Sequence, residues 1–371
     1  MRQVFKLAAV SAAATLVLAA CGDAPEDEES DGGGSEESSE NGGEGGGEDF
    51  SACMVSDAGG FDDQSFNQSG AEGMESAKSE LGISTTLVES QSDADYATNV
   101  NTLVSQGCNI TFGVGFLLED AIQTGAEENP DTNFALIDSA FSDADFNPVE
   151  LENGKPILFN TAEASFLAGY LAAGMTETGT VATFGGIQLP TVAIFMDGYA
   201  DGVAKYNEDN DADVEVLGWD KEAQSGSFSG DFDNQSQGQT LTEQFIAQDA
   251  DIIMPVAGPV GLGAVAAAQG AEGTKIIWVD SDGFETTDAG DIMLTSVLKQ
   301  IGPAVDGTIT ETIESGFSNE PYVGTLENDG VGIAPYHDFE GEVPEELDAK
   351  IQEYKQMIID GDLSVESTNT P

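Results

Sequence analysis

The 371 residues carry 69 acidic and 10 basic side chains, a formal charge of −59, and such a surface repels nucleic acid and anionic lipid headgroups. The length leaves room for a leader and two domains of ordinary size, and the charge excludes a nucleic-acid partner. Acid loading this even points to a salt-adapted proteome, where screening relieves self-repulsion, and it speaks to solubility more than to a ligand.

The chain opens with a basic segment, Met1 to Lys6, and runs into apolar residues 7–20, too short to span a bilayer comfortably. That segment closes on Leu18-Ala19-Ala20-Cys21-Gly22. A Leu and two small residues before a Cys resemble the lipobox of bacterial lipoproteins. A signal peptide over residues 1–20 and a lipid anchor on Cys21 are therefore expected. Loss of Arg2 and Lys6 with that peptide leaves eight lysines, no arginine and a charge near −61. Residues 21–50 are Gly, Ser, Glu and Asp with almost nothing apolar, so they bury no core and read as an acidic Gly/Ser-rich tether.

The next stretch, Met54 to Gln68, combines an apolar strand-like run, a Gly59-Gly60 turn and a helix start at Ser65-Phe66-Asn67. Phe66, Gly70, Met74, Ala77 and Leu81 then recur at helical spacing. This is the first strand-turn-helix unit of an open α/β sheet, in which ligands bind beyond the carboxyl ends of the strands. Asp57 lies at that end and Phe66-Asn67 at the helix entrance, although an acidic turn with a core Phe would read the same way.

Strands at 85–88, 110–114, 134–137 and 157–159 alternate with helical patterns at 95–105, through Leu118 to Ile122, and at 163–175. A second series has strands at 181–184, 214–217, 252–256, 276–279 and 292–297, with helices at 192–206, 239–247, 262–269 and 305–313. The alternation predicts parallel sheets with covering helices, and the number of strands predicts two lobes. Asp57, Gly115-Phe116, Asp138, Gly185-Gly186, Gly258, Asp280 and Asp282 all fall at carboxyl ends of strands, where the fold rule puts a ligand.

Cys53 and Cys108 each precede a strand-like run. If those strands are parallel neighbours, their starting ends could meet in a disulfide, worth on the order of 3–4 kcal/mol by chain entropy; two buried thiols are the alternative. Catalysis finds little support: no nucleophile elbow, Walker sequence or dinucleotide fingerprint follows any strand. The sole His, His337, reads as an isolated surface residue. Asp209-Asn-Asp211-Ala-Asp213 resembles the start of a calcium loop, but Val214 and Asp220 stand where Gly and Glu are needed, so a solvated acidic turn is expected and no metal.

The run Asp57-x-Gly-Gly-Phe-Asp-Asp-x-Ser-Phe-Asn-Gln68 resembles the signature near the mature start of the basic membrane protein family. These are lipid-anchored nucleoside-binding proteins of ABC importers, similar to the purine nucleoside receptor lipoproteins. Gly113-Val-Gly-Phe116, Phe166-Leu-Ala-Gly169, Phe184-Gly-Gly-Ile187, Gly226-Ser-Phe228, Pro255-Val-Ala-Gly258, Val279-Asp-Ser-Asp282 and Leu294-Thr-Ser-Val-Leu-Lys299 match in the same order, from about Cys53 to Pro335. The family often has a Trp after Asn-Gln, where this chain has Ser69-Gly70-Ala71.

The resemblance implies an α/β type I periplasmic-binding-protein fold, two Rossmann-like lobes with parallel sheets joined by a three-crossing hinge near Phe159, Asp282 and Tyr322. The lobes would be residues 51–158 plus 283–322 and residues 159–282 plus 323–371. It also implies a receptor that is no enzyme, needs no cofactor, and acts as a monomer held to the membrane by its lipid. The receptor would deliver a nucleoside to the permease and ATPase subunits of an ABC importer. Phe66 would stack on the base from the first lobe and Phe228 from the second. Asp282, or alternatively Asp280, would pair with Lys299 as a ribose clamp. Asp57, Asn67 and Asp138 would serve the base and the near edge of the sugar, with the Gly258 backbone contributing from the second lobe. Core packing is the alternative for both phenylalanines, and surface charge balance for Lys299. A receptor for another small polar ligand such as a sugar, and a surface lipoprotein for adhesion or signalling, are the competing functions.

Overall fold

The structure, a computed structural model, describes residues 49–371 apart from Ala58, Ala144 and Phe146. The expected signal peptide over residues 1–20, Cys21, and the tether as far as residue 48 lie outside the described residues.

The chain begins with β1 (Ser51–Val55), α1 (Phe66–Leu81), β2 (Ser84–Val88) and α2 (Asp93–Gln106). It continues through β3 (Ile110–Val114), α3 (Glu119–Glu128), β4 (Asn133–Ile137), β5 (Gly154–Phe159) and α4 (Thr161–Met175). Next come β6 (Thr180–Gly185), α5 (Pro190–Asn210), β7 (Glu215–Leu217), the short hairpin β8 (Trp219–Asp220) and β9 (Ser225–Gly226), and α6 (Gln235–Ile246). β10 (Ile252–Val256), α7 (Gly261–Gln269), β11 (Lys275–Asp280) and α8 (Gly283–Thr286) follow. The last elements are β12 (Met293–Lys299), α9 (Ile301–Ser315), β13 (Tyr322–Gly324), β14 (Val331–Ile333) and α10 (Glu345–Ile359).

One six-stranded sheet has the order β13-β5-β4-β3-β1-β2, parallel throughout. The other has the order β14-β12-β11-β10-β6-β7 and is parallel except for its β14 edge. Every residue of β3 and β10 is buried, as continuous apolar strands covered on both faces require. The glycines of α4 and α5 let two helices meet backbone to backbone: a Cβ on Gly169 would strike the carbonyl of Tyr199, and one on Gly202 the carbonyl of Phe166. That contact explains the run of small residues in α4. Cys53 in β1 and Cys108 before β3 belong to neighbouring parallel strands, and their sulfurs are bonded with Cα atoms 6.0 Å apart.

The chain passes between sheets at Asn160, at Gln300, and again between β13 and β14. The second passage differs from the expected crossing at Asp282, and residues 283–299 belong with the second sheet rather than the first lobe. β12 pairs in parallel with β11, and its Met293, Leu294 and Val297 are buried in the hydrophobic interior. Three ties hold the crossings together: Asn160 N to Gly324 O at 2.8 Å, Gln300 N to Gly330 O at 2.9 Å, and Leu326 N to Glu163 Oε2 at 2.7 Å. The carboxyl ends of both sheets meet beside this hinge.

Candidate ligand-binding site

A cavity lies where those ends meet, the place an open α/β sheet offers a ligand. Asp57, Asp63, Phe66, Asn67, Gly115 and Asp138 line it from the first sheet's side, and Phe195, Phe232, Gly258, Asp280 and Lys299 from the second's.

The first wall is built by the turn from β1 into α1. Asp63 receives the backbone N–H groups of Ser65 (3.0 Å), Asn67 (2.8 Å) and Gln68 (3.0 Å), so one carboxylate satisfies the start of α1 and sets a negative charge at its positive end. Burial pushes the Asp63 carboxyl up to about 6 despite those donors, and the nearby Asp280 charge adds to the rise. Asp57 accepts Gly59 N at 3.1 Å and Asn67 Nδ2 at 2.8 Å on the same oxygen. Burial raises its pKa, against the lowering effect of those two bonds. Gly115 has φ 103°, and a Cβ there would come within 3.2 Å of both Asp57 Oδ2 and Phe66 Cε1. Glycine thus keeps the floor of the cavity open.

The polar centre is Lys299, which ends β12 with 3% of its side chain exposed. Its Nζ lies 2.8 Å from Asp138 Oδ2 and 3.5 Å from Asp280 Oδ1. Burial works against the ammonium, but the two carboxylates outweigh it and hold Lys299 above its ordinary pKa. For Asp138 burial wins and its pKa is raised, although Lys299 pulls the other way. The two aspartates occupy matching places, Asp138 just after β4 and Asp280 at the end of β11, both with left-handed φ (64° and 70°). Such backbone is costly for a non-glycine residue and concentrates at functional sites. The ammonium also lies 5.0 Å from the Phe66 ring centre and 4.9 Å from that of Phe195, within cation–π range.

The cavity thus brings together Asp57, Phe66, Asn67, Asp138, Gly258, Asp280 and Lys299 from the sequence reading. Lys299 is buried and is not a surface counter-charge. Two of the expected residues lie elsewhere. Phe228 does not line the cavity: Ser227 and Ser229 bond to the Gly185 backbone (both 3.0 Å), and the Phe228 ring packs on Gly185 and edge-on against Trp219. Phe195 and Phe232 supply the aromatic surface on that side. Asp282 does not meet Lys299, because its carboxylate caps α8 at Phe284 N (3.1 Å) and lies 2.7 Å from His337 Nε2. His337 is accordingly no isolated surface residue; its ring stacks on Phe284 at 4.0 Å. Asp209 does not lie in the solvated turn expected of it: it binds Lys205 (2.9 Å) and accepts from Tyr170 (3.1 Å) and Tyr354. Sequence reasoning missed Asp63, Phe195 and Phe232. Only Asp63 carried a signal, an acidic residue just before a helix start.

Chemically, the cavity offers aromatic faces, hydrogen-bond acceptors and one ammonium set between carboxylates. That combination suits a flat, polar, hydroxyl-bearing ligand. Among the described residues no cluster of His, Cys, Asp and Glu is arranged to hold a metal, and no helix is long and apolar enough to cross a membrane.

Residues 50–368 match the family model described as ABC transporter substrate-binding protein PnrA-like. A CD4+ T-cell-stimulating antigen from Listeria innocua is 30% identical over 86% of this chain and 88% of its own length. The ABC transporter nucleoside-binding protein BmpA of Lactococcus lactis is also 30% identical, over 86% of this chain and 90% of its own. Among solved structures, a solute-binding protein of an ABC transporter system from Aeropyrum pernix superposes with a TM-score of 0.76. It is 24% identical and covers 85% of this chain and 92% of its own, a likeness of fold. The fold is that of type I periplasmic binding proteins, and the chain belongs to the PnrA-like family of ABC transporter substrate-binding proteins, extracytoplasmic receptors that bind a solute without transforming it.

Proposed function

We propose that the protein captures nucleosides, purine nucleosides foremost, between its lobes and delivers them as a monomer to the permease and ATPase subunits of an ABC importer. The observation that carries this reading is the Lys299 group beside Phe66: an ammonium and two carboxylates within reach of one aromatic face. Ribose hydroxyls donate to carboxylates and accept from an ammonium, and such charge-assisted bonds are the stronger kind. A nucleobase stacks on the aromatic ring. The nucleoside-binding name of the Lactococcus lactis relative supports the same assignment. A lipid on Cys21 would hold the receptor at the outer face of the membrane, and Cys21→Ser should then release it from the membrane fraction.

A sugar would use the polar group but has no flat base to stack on Phe66, which is half-buried and faces the cavity. Calorimetric titration of the purified protein with adenosine, guanosine, inosine, cytidine, ribose and glucose separates the readings. Purine nucleosides should bind tightest and free sugars not at all; preferential binding of a sugar would overturn the proposal.

A further inference from the structure

Asn67 has both of its amide hydrogens committed. Nδ2 lies 2.8 Å from Asp57 Oδ1 and 3.2 Å from Asp63 Oδ2. An ionised carboxylate only accepts, so an amide wedged between two of them turns its NH₂ towards both; the reverse orientation would press Oδ1 against two acceptors. Chemistry therefore sets the orientation, and Oδ1 is the atom left over. The residue is 2% exposed, lines the cavity, and its Oδ1 has no hydrogen-bond partner among the described residues. A buried acceptor left in this state is costly until a ligand supplies a donor.

We infer that this corner of the cavity is an acceptor-only subsite, in which Asp63 and Asp57 lock the Asn67 amide so that the ligand edge seated there must donate. Asp63 is a positioning residue that acts through Asn67, and the same carboxylate that starts α1 sets the polarity of the subsite. Asp57 reinforces the bias, since it too presents carboxylate oxygen to the cavity, with Oδ2 beside the Gly115 floor. The inference rests on the nucleoside reading and narrows it. The preferred bases carry a ring N–H or an exocyclic amino group on the bound edge, as guanine, hypoxanthine and adenine do. A purine without such a donor leaves Asn67 Oδ1 unpaired.

Calorimetry on the purified chain with adenosine, inosine and the unsubstituted purine riboside tests it. The wild type should bind purine riboside about ten-fold or more weakly than the other two, because a site built around a hydrogen bond rejects an analogue that lacks it. In Asp63→Asn one Nδ2 hydrogen is released and the amide can turn, so that discrimination should shrink about three-fold or more. Asp63→Ser keeps an oxygen for the start of α1 and should shrink it likewise. An equal loss for all three ligands in both variants would reduce Asp63 to a helix cap and overturn its positioning role. If neither variant folds, the wild-type series decides: equal affinity for inosine and purine riboside overturns the subsite. Nucleosides binding without discrimination defeats this inference alone, whereas binding of no nucleoside defeats the nucleoside reading as well.

Discussion

Lys299, at the end of a strand of the second sheet, and Asp138, just after a strand of the first, approach to 2.8 Å, so the closest charged contact in the cavity is also a contact between lobes. Removing the ammonium leaves two buried carboxylates facing each other. Breaking a buried pair in this way costs about 3–5 kcal/mol, part of which protonation of the carboxylates relieves. Lys299→Ala should lower unfolding stability and lose affinity for adenosine much more than for adenine, because the ribose contacts go and the stacking surface stays. Equal losses for nucleoside and base would remove Lys299 from the ribose site.

Phe66 is half-buried at the head of α1 and faces the cavity, so its ring is available to a base. Stacking on an aromatic side chain is worth about 1–3 kcal/mol per base. Phe66→Ala should weaken nucleoside binding about ten-fold or more. The Tm without ligand should hardly move. Unchanged affinity would assign the ring to packing.

The backbone carbonyl of Gln64 accepts from Trp278 Nε1 (3.1 Å), Ser281 Oγ (2.8 Å) and Thr286 Oγ1 (3.1 Å), all beyond the cleft. Gln64 itself has a left-handed φ of 57°, which aims that carbonyl across the cleft at some local cost. None of these donors lines the cavity, so the turn works as a latch between lobes rather than as a ligand contact. The double variant Ser281→Ala, Thr286→Val should favour the open form and weaken all ligands by a similar factor. In X-ray scattering, nucleoside should reduce the radius of gyration, and by more in the variant. Scattering that does not change with ligand in either protein would contradict closure.

Asp63 gives stability a pH dependence of defined sign. Its folded pKa of about 6 stands above the ordinary 3.8, so the folded protein holds a proton there that the unfolded chain releases. This contribution is fully present below about pH 4 and is lost as pH rises through 6, so acidification from pH 7 to 5 should add on the order of 1 kcal/mol. Acidification also relieves the general repulsion of an acidic chain. The test is therefore the difference between wild type and Asp63→Asn in denaturant unfolding at the two pH values. A variant that gains as much as the wild type would show that Asp63 keeps an ordinary pKa.

The sequence displays what periodicity and turn chemistry encode. Helix α1, the strand ends and the positions of Asp57 and Asn67 follow from apolar spacing and glycine turns, whereas the role expected of Lys299 came from the family resemblance. Residues 292–297 read as a strand, but an apolar strand is compatible with either sheet, and only the pairing of β12 with β11 places the crossing at Gln300. Asp280 and Asp282 could not be separated by spacing, since residues two apart share a face in extended chain. The left-handed turn at Asp280 breaks that equivalence. Phe228 and Phe232 differ in a comparable way, because the backbone bonds from Ser227 and Ser229 to Gly185 tie the first of them to the sheet edge.

The central claim is that this cleft holds a nucleoside, and the most direct test is mass spectrometry of small molecules released by denaturing freshly purified protein. The account predicts a purine nucleoside in amounts stoichiometric with the chain, absent from the Lys299→Ala preparation. A sugar released in its place would contradict it, as would a ligand-free protein that binds none of the purine nucleosides when titrated.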